Sequence, residues 1–249
     1  MMPTEEIAVL SDIHGNLWAL EAVLDHIEGR GIDKIVNLGD SIYGPLEPKK
    51  TAQLLIERDI PSVSGNEDRM IVDSNAPLSP TLDFVRRVTN DSVASWLVAC
   101  PATLKMGDIF MFHGTPSSDS EYLLEEVTKD VVRLRCHTEI LGRLESIESR
   151  IVLCGHSHVP HVVALSDQRL VINPGSVGLQ AYTDDVPYPH EMETGSPHAR
   201  YSILSITKRK TTVDNLVVPY DWQSASVTAE KNGREDWAQW LRTGRAKSC

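Results

Sequence analysis

This 249-residue chain is poor in several things, and each shortage excludes a class of protein. It holds four cysteines, Cys100, Cys136, Cys154 and Cys249, with no CxxC pair and no regular spacing. A disulfide-stapled scaffold and a thiolate metal cage are therefore excluded, and the pattern reads as free thiols in a reducing compartment. Cys154 lies in the apolar run 151–154 and reads as a buried structural residue. No apolar run approaches the ~18 residues of a membrane span. The opening residues, MMPTEEIAVL, lack the basic and apolar regions of a signal peptide, so a cytoplasmic location is expected. Positive charge is also short, with 24 Lys+Arg against 35 Asp+Glu and a net charge near -11. That balance repels nucleic acid and anionic membrane, and no basic cluster exists beyond Lys208–Lys210. Neither a stable nucleic-acid complex nor membrane attachment is expected; oligomeric state is not readable. GxSxG and Cys–His signatures are missing too, so nothing argues for a protein nucleophile.

What is present suits an ordinary core: 41% hydrophobic and 24% charged residues, with no internal repeat and no low-complexity linker. One domain over residues 1–249 is expected. Its first hundred residues alternate apolar runs with helical spacing. Ile7–Leu10 is followed by Leu17, Leu20, Leu24 and Ile27 on one helix face, with Asn16 as N-cap. Ile35–Leu38 is a second strand, and Pro48 opens the next helix. Pro61–Ser64 reads as a third strand. This rhythm predicts parallel strands with crossover helices. Residues 67–100 read as a polar helical insertion interrupted by Pro77 and Pro80. Strands resume at Ile109–Phe112 and Ile151–Cys154, with a charged helical stretch between them. Leu170–Ile172, Tyr201–Ile206 and Val213–Val218 then follow too closely for crossovers, which predicts antiparallel pairing in a second sheet. Residues 179–198 read as a long loop, and 221–249 as a helical tail around Trp237 and Trp240.

The informative residues sit where the apolar runs end. In order they are Asp12-Ile13-His14, Gly39-Asp40, Gly65-Asn66, His113-Gly114 and Gly155-His156-Ser157-His158. Ligands of α/β sheets bind outside the carboxyl ends of the strands, so five segments aim ligand-type side chains at one place. In extended backbone, Asp12 and His14 would point the same way, as would His156 and His158. Two Asp, one Asn and four His make a mixed O/N donor set, which suits Mn, Zn, Fe or Ni better than all-oxygen cages. Seven side chains are too many for one tetrahedral ion. They suit two ions if a carboxylate bridges, and Asp40, at the middle of the first three strand ends, is the natural bridge.

The series resembles the calcineurin-like metallophosphoesterase superfamily, whose pattern is D-x-H, G-D-x-x-x-x-G, G-N-H-[DE], H and G-H-x-H. Here these are Asp12–His14, Gly39–Gly44, Gly65–Asp68, His113 and Gly155–His158. Asn173–Gly178 resembles the segment after GHxH in the small prokaryotic phosphodiesterase and diadenosine-polyphosphatase-like branch. The resemblance implies an α+β fold, a four-layer αββα sandwich of two mixed sheets flanked by helices, with a dimetal site at one sheet edge. It implies that Asp12, His14, Asp40 and His158 hold one divalent ion, and Asp40, Asn66, His113 and His156 the other. Manganese is the first expectation, with iron, zinc, nickel or magnesium as alternatives. The implied activity is hydrolysis of a phosphodiester, nucleotide or phosphoanhydride bond by in-line attack of a hydroxide bridging the ions, with Asp40, Asn66, Glu67 and His113 as the catalytic set. The partner would be a small phosphorylated substrate, nucleotides included. A serine/threonine-type protein phosphatase, or a non-catalytic protein-binding module on the same fold, are the alternatives.

Glu67 departs from the pattern, which usually has His there. An ordinary Glu, pKa ~4.3, is ionised at neutral pH and protonates leaving groups poorly. Aryl phosphates and phosphoanhydrides would be favoured over alkyl monoesters. The alternative is that Glu67 hydrogen-bonds a ligand His. Arg200, His198 and Arg69 are candidates to bind substrate phosphate, with Asn66. Asp68 suits an orienting role. Tyr182, Tyr188 and His190 in the long loop could stack on a base or pack the loop down. His26, His137 and His161 carry no motif.

Overall fold

The computed structural model describes residues 4–208 and 210–247. Cys249 and the first three residues, which entered the judgement on a leader, lie outside the described residues.

Period-two burial organises the centre. In β1 (Glu5–Leu10), Ile7 and Val9 face one way and Ala8 and Leu10 the other, and all four are buried. A strand apolar on both faces needs a layer on each side. β1 is internal to a mixed sheet: β2 (Lys34–Asn37) runs parallel on one side. β12 (Ala199–Ile206) runs antiparallel on the other side and carries β13 (Thr211–Val218) at the edge. The second sheet has a parallel centre of β4 (Ile109–Phe112), β7 (Ile151–Leu153) and β9 (Leu170–Asn173). Its antiparallel edges are β3 (Thr103–Met106) and β8 (His161–Ala164).

Between the sheets, Ile7, Val9, Val36 and Leu38 meet Ile109, Met111, Ile151 and Leu153. Outside the first sheet, Ala8, Leu10 and Tyr201 pack on α1 (Leu17–Glu28), α2 (Pro48–Glu57), α7 (Trp222–Lys231) and α8 (Glu235–Thr243). Outside the second, Phe112 and Val152 pack on Ile140 of α6 (His137–Arg143). The order is helix, sheet, sheet, helix, the expected αββα sandwich.

Several local readings are corrected. Residues 61–64 make one parallel bridge, Ser62 to Asn37, and no strand. Pro61 has no N–H to donate, and Ser64 turns its N–H to Pro101 instead. β12 and β13 extend the first sheet, antiparallel as expected but not in a second sheet. The stretch expected to be helical between β4 and β7 forms a hairpin, β5 (Glu125–Val127) and β6 (Val132–Leu134), before the short α6. Residues 179–198 are not a structureless loop: β10 (Ala181–Asp184) and β11 (His190–Glu193) pair as a hairpin. The insertion at 67–100 is three helices, α3 (Asn66–Val72), α4 (Pro80–Val88) and α5 (Asp91–Ala99). The tail is two helices, α7 and α8. Among the described residues no helix is long and apolar enough to cross a membrane.

Candidate metal centre

The strand ends converge because the chain turns sharply there. Asp12 (φ 54°), His14 (φ 52°), Asp40 (φ 49°), His156 (φ 71°) and His158 (φ 61°) all adopt left-handed backbone. Side chains that should share a side through extended spacing reach it instead through these turns. Each such residue costs on the order of 1–3 kcal/mol, and such strain persists only where surrounding bonds fix it. Here Asp12 N donates to Gly39 O at 3.0 Å, His14 N to Asp40 O at 2.9 Å, and Gly178 N to Asp12 O at 3.0 Å. Gly65 permits a close approach to the Asp40 carboxylate. A Cβ there would stand 2.1 Å from Asp40 Oδ1.

Both carboxylates use one oxygen as an anchor. Asp12 Oδ2 accepts from His156 N at 3.2 Å, and Asp40 Oδ1 from Glu67 N at 2.9 Å. The free oxygens face imidazoles: Asp12 Oδ1 lies 3.3 Å from His158 Nε2, and Asp40 Oδ2 lies 3.1 Å from His113 Nε2. Three histidines are fixed from behind. Nδ1 of His14 lies 2.9 Å from Tyr43 O, Nδ1 of His113 2.8 Å from Leu38 O, and Nδ1 of His158 2.7 Å from Leu179 O. A ring nitrogen beside a carbonyl must donate, so the neutral ring presents an Nε2 lone pair to the centre. His14 Nε2 and His158 Nε2 then face each other at 3.0 Å. Two lone pairs that close repel unless a proton on one ring or a metal cation lies between them. Asp12 Oδ1, Asn66 Oδ1 and His113 Nε2 are buried with no hydrogen-bond partner. Orphaned acceptors of this kind are what a cation site supplies.

The potential agrees. Burial opposes the charge of Asp12, yet His158, His113 and His14 hold its carboxyl well below the usual range. Burial likewise opposes charge on His14, but Glu67, Asp40 and Asp12 raise it to about 9. Against the same burial, Asp40 and Asp12 bring His113 to about 10. His156 goes the other way, to about 4, through burial and the neighbouring His113. Without cations the carboxylates draw protons onto two imidazoles.

Ligand-type atoms group as Asp12, His14 and His158, and as Asp40, His113 and His156, each within 4.8 Å. Asp40 also groups with His14 and Glu67, so it lies between the two triads. Six of the seven residues expected to ligate metal are thus brought together, and Asn66 lines the same cleft with a buried, unpartnered oxygen. The donor set fits two divalent cations.

Other expected residues fall elsewhere. Glu67 lines the cleft, with Oε2 at 3.2 Å from His14 Nδ1. Burial and Asp40 push its carboxyl up to about 7 against the pull of His14, so it is only partly ionised at neutral pH and nearby cations would favour the ionised form that the sequence suggested. Asp68 accepts from Ser41 N at 2.9 Å and holds the Asp40 turn. Arg69 is paired with Asp119, at 2.6 Å and 2.9 Å. Arg200 and His198 line no part of the metal-side cleft: Arg200 packs along Gly175, and His198 bonds Ser196 and stacks toward Trp222. Tyr188 is exposed under Lys129, while the Tyr182 hydroxyl and His190 Nε2 both reach the Tyr122 hydroxyl.

No motif marks the rest of the cleft, which encloses about 290 Å³ over the candidate metal ligands. Tyr43, Tyr122, Trp237, Trp240 and Arg234 form its walls. The Trp237 ring lies 5.7 Å from the ring of His14, edge-on, and Tyr122 stacks on His156 at 4.7 Å. Behind the GHxH turn, Ser157 Oγ donates to the buried Glu125 at 2.7 Å and accepts from Asn173 Nδ2 at 3.0 Å. In the sequence Trp237 and Trp240 mark only a helical tail, and Glu125 belongs to no motif.

The family described as the calcineurin-like phosphoesterase superfamily domain matches residues 6–188. An uncharacterized protein of Methanocaldococcus jannaschii is 26% identical over 257 aligned positions, covering 93% of this chain and 94% of that one. A metallophosphoesterase from Sphaerobacter thermophilus superimposes with a TM-score of 0.74 at 24% identity, over 95% of this chain and 98% of that one. A provisionally assigned diadenosine tetraphosphatase superimposes at 0.53 and 16% identity, over 85% of this chain and 94% of the other.

Proposed function

Because the chain belongs to the calcineurin-like phosphoesterase superfamily, we propose that it is a two-metal hydrolase of small phosphodiesters, nucleotides or phosphoanhydrides. The observation that carries this is the convergence of two ligand-type triads, Asp12, His14 and His158 beside Asp40, His113 and His156, with His14 Nε2 and His158 Nε2 turned inward 3.0 Å apart and both Nδ1 atoms committed to carbonyls. Asp12, His14 and His158 would hold one ion, Asn66, His113 and His156 the other, with Asp40 shared. Bound divalent ions supply an activated water and offset charge on the phosphoryl group during in-line displacement. Manganese suits the mixed donor set, with iron, zinc, nickel or magnesium as substitutes.

The chain's own residues do the remainder. Carbonyls of Tyr43, Leu38 and Leu179 fix the imidazole tautomers, and His156 N and Glu67 N orient the two carboxylates. Glu67 is a positioning residue for His14. The aromatic walls exclude water and offer flat surfaces to an aryl or nucleobase leaving group. A cleft of about 290 Å³ suits a small molecule better than the phosphorylated loop a protein phosphatase must admit. The full ligand set argues for the enzyme over a binding module. A cytoplasmic setting goes with the free thiols Cys100, Cys136 and Cys154.

The test is release of p-nitrophenol from bis-p-nitrophenyl phosphate and p-nitrophenyl phosphate with added Mn²⁺, beside Asp40→Ala and His113→Ala. Metal-dependent release abolished by both substitutions supports the proposal. No bound metal and no turnover with any divalent ion would refute it.

A further inference from the structure

A second cavity of about 570 Å³ lies beside the metal-side cleft and shares Asn66, Tyr122, His156 and Asp184 with it. Its far side comes from the segment after β6 and from the end of α6, which bring in Arg135 and Arg143. The carboxylates around these arginines are engaged. Glu121 accepts from Arg143 at 2.6 Å, Glu126 from Arg133 at 2.7 Å, and Glu139 from Cys136 N at 3.2 Å. Asp184 accepts from Val186 N at 3.1 Å. Arg135 is half-buried, and its Nε is shielded from solvent with no hydrogen-bond partner. Burial and the neighbouring Arg143 push its pKa down, against the more distant carboxylates Glu126, Glu139 and Glu121, none of which pairs with it. Arg200 also has an orphaned Nε, but it lines neither cavity.

A planar guanidinium fork with no carboxylate partner, opening on a cavity that the candidate ligands Asn66 and His156 also line and that one ring parts from the metal-side cleft, matches a phosphoryl group in shape and charge. The separating ring is Tyr122, held rigidly on His156 at 4.7 Å and 27°. We propose that this cavity is a second anion subsite, in which Arg135, assisted by Arg143, binds a substrate phosphoryl group that is not cleaved. The preferred substrates then carry at least two phosphoryl groups, as nucleoside polyphosphates do. The inference rests on the hydrolase reading and narrows its substrate class.

The test is calorimetric binding of inorganic phosphate and of methylenediphosphonate at stoichiometric Mn²⁺, for the wild type, Arg135→Ala, Arg135→Glu and Arg135→Lys. Wild type is expected to prefer the diphosphonate. That preference should fall by about tenfold or more in the Ala and Glu variants, the weight of one charge-assisted pair, and return in part with Lys. Lys also shows that the substitution site tolerates change. An unchanged preference in Ala and Glu, or no diphosphonate binding by the wild type, overturns the subsite. Because binding is read without turnover, failure of the hydrolase proposal registers separately, as absent p-nitrophenol release by the wild type.

Discussion

Glu125→Gln isolates the energetics of the support behind the metal ligands. Glu125 is almost wholly buried, and loss of solvation raises its carboxyl from 4.5 to about 7, despite the Ser157 hydroxyl that favours the ionised form. His161 Nε2 lies 3.4 Å away, but burial lowers its own affinity for a proton, so it is a poor counter-charge. The sign follows from proton binding. Between pH 4.5 and 7 the unfolded chain releases the Glu125 proton and the folded chain keeps it, so folding loses stability as pH rises and levels off above 7. At 1.36 kcal/mol per pH unit, the loss between pH 4 and pH 8 is about 3 kcal/mol. Gln keeps an oxygen for Ser157 and never ionises. The variant should therefore match wild type at pH 4 and gain about 3 kcal/mol over it at pH 8, roughly 6–10 °C in Tm for a chain of this size. Thermal denaturation of both chelated proteins across that range measures the difference. A Tm gap that does not vary with pH would show that Glu125 does not titrate as its burial dictates.

Three further outcomes follow from the site. Gly65→Ala would force a methyl group to 2.1 Å from Asp40 Oδ1, so the Asp40 turn must move. Misplacement by about 1 Å costs about 100-fold in rate, to be read as p-nitrophenyl phosphate turnover in a protein whose circular dichroism is unchanged. Alkyl phosphomonoesters should turn over at least about 100-fold more slowly than p-nitrophenyl phosphate, and Glu67→His should narrow that ratio, since a positioned general acid contributes about 100-fold or more. Equal wild-type rates would remove the case for weak acid catalysis. Trp237→Ala deletes a buried ring that packs on His14, with an expected loss of about 3–5 kcal/mol and a raised KM for aryl substrates. Denaturant titration and steady-state kinetics test the two halves.

The candidate metal ligands were legible because they cluster where the apolar runs end, and strand ends of a layered sheet open on one edge. The extended backbone expected to aim Asp12 with His14, and His156 with His158, is absent, since all four have left-handed φ. Residue spacing does not reveal the sign of φ, and Asp and His tolerate the left-handed region well enough to carry the turn themselves. The 61–64 segment was misread because an apolar run carries no information about which N–H groups are free to pair. Glu125 was illegible: beside Glu126 it reads as surface, and only its packing under Ser157 makes it interior. Arg135, Arg143, Arg234 and Trp237 belong to no motif. They reach the metal-side cleft or the cavity beside it through tertiary packing, from segments far from Asp12 and Asp40 in the chain. Arg200 and His198 stood closer to a recognisable strand and drew attention that the fold does not reward.

The placement of β1 bears on how the chain is made. This strand bears the first metal ligand at its end, and it pairs with β2 almost at once, yet its other edge waits for β12, with Glu5 opposite Ile206. At about 5–20 residues per second, synthesis leaves that edge open for roughly 10–35 s after β2 has emerged. Through this interval the buried run Ile7–Leu10 offers unpaired backbone to any neighbouring nascent chain. Closure of the sheet is thus a late event on the ribosome, and a codon or temperature change that slows translation between residues 37 and 199 would lengthen the period of greatest exposure to aggregation.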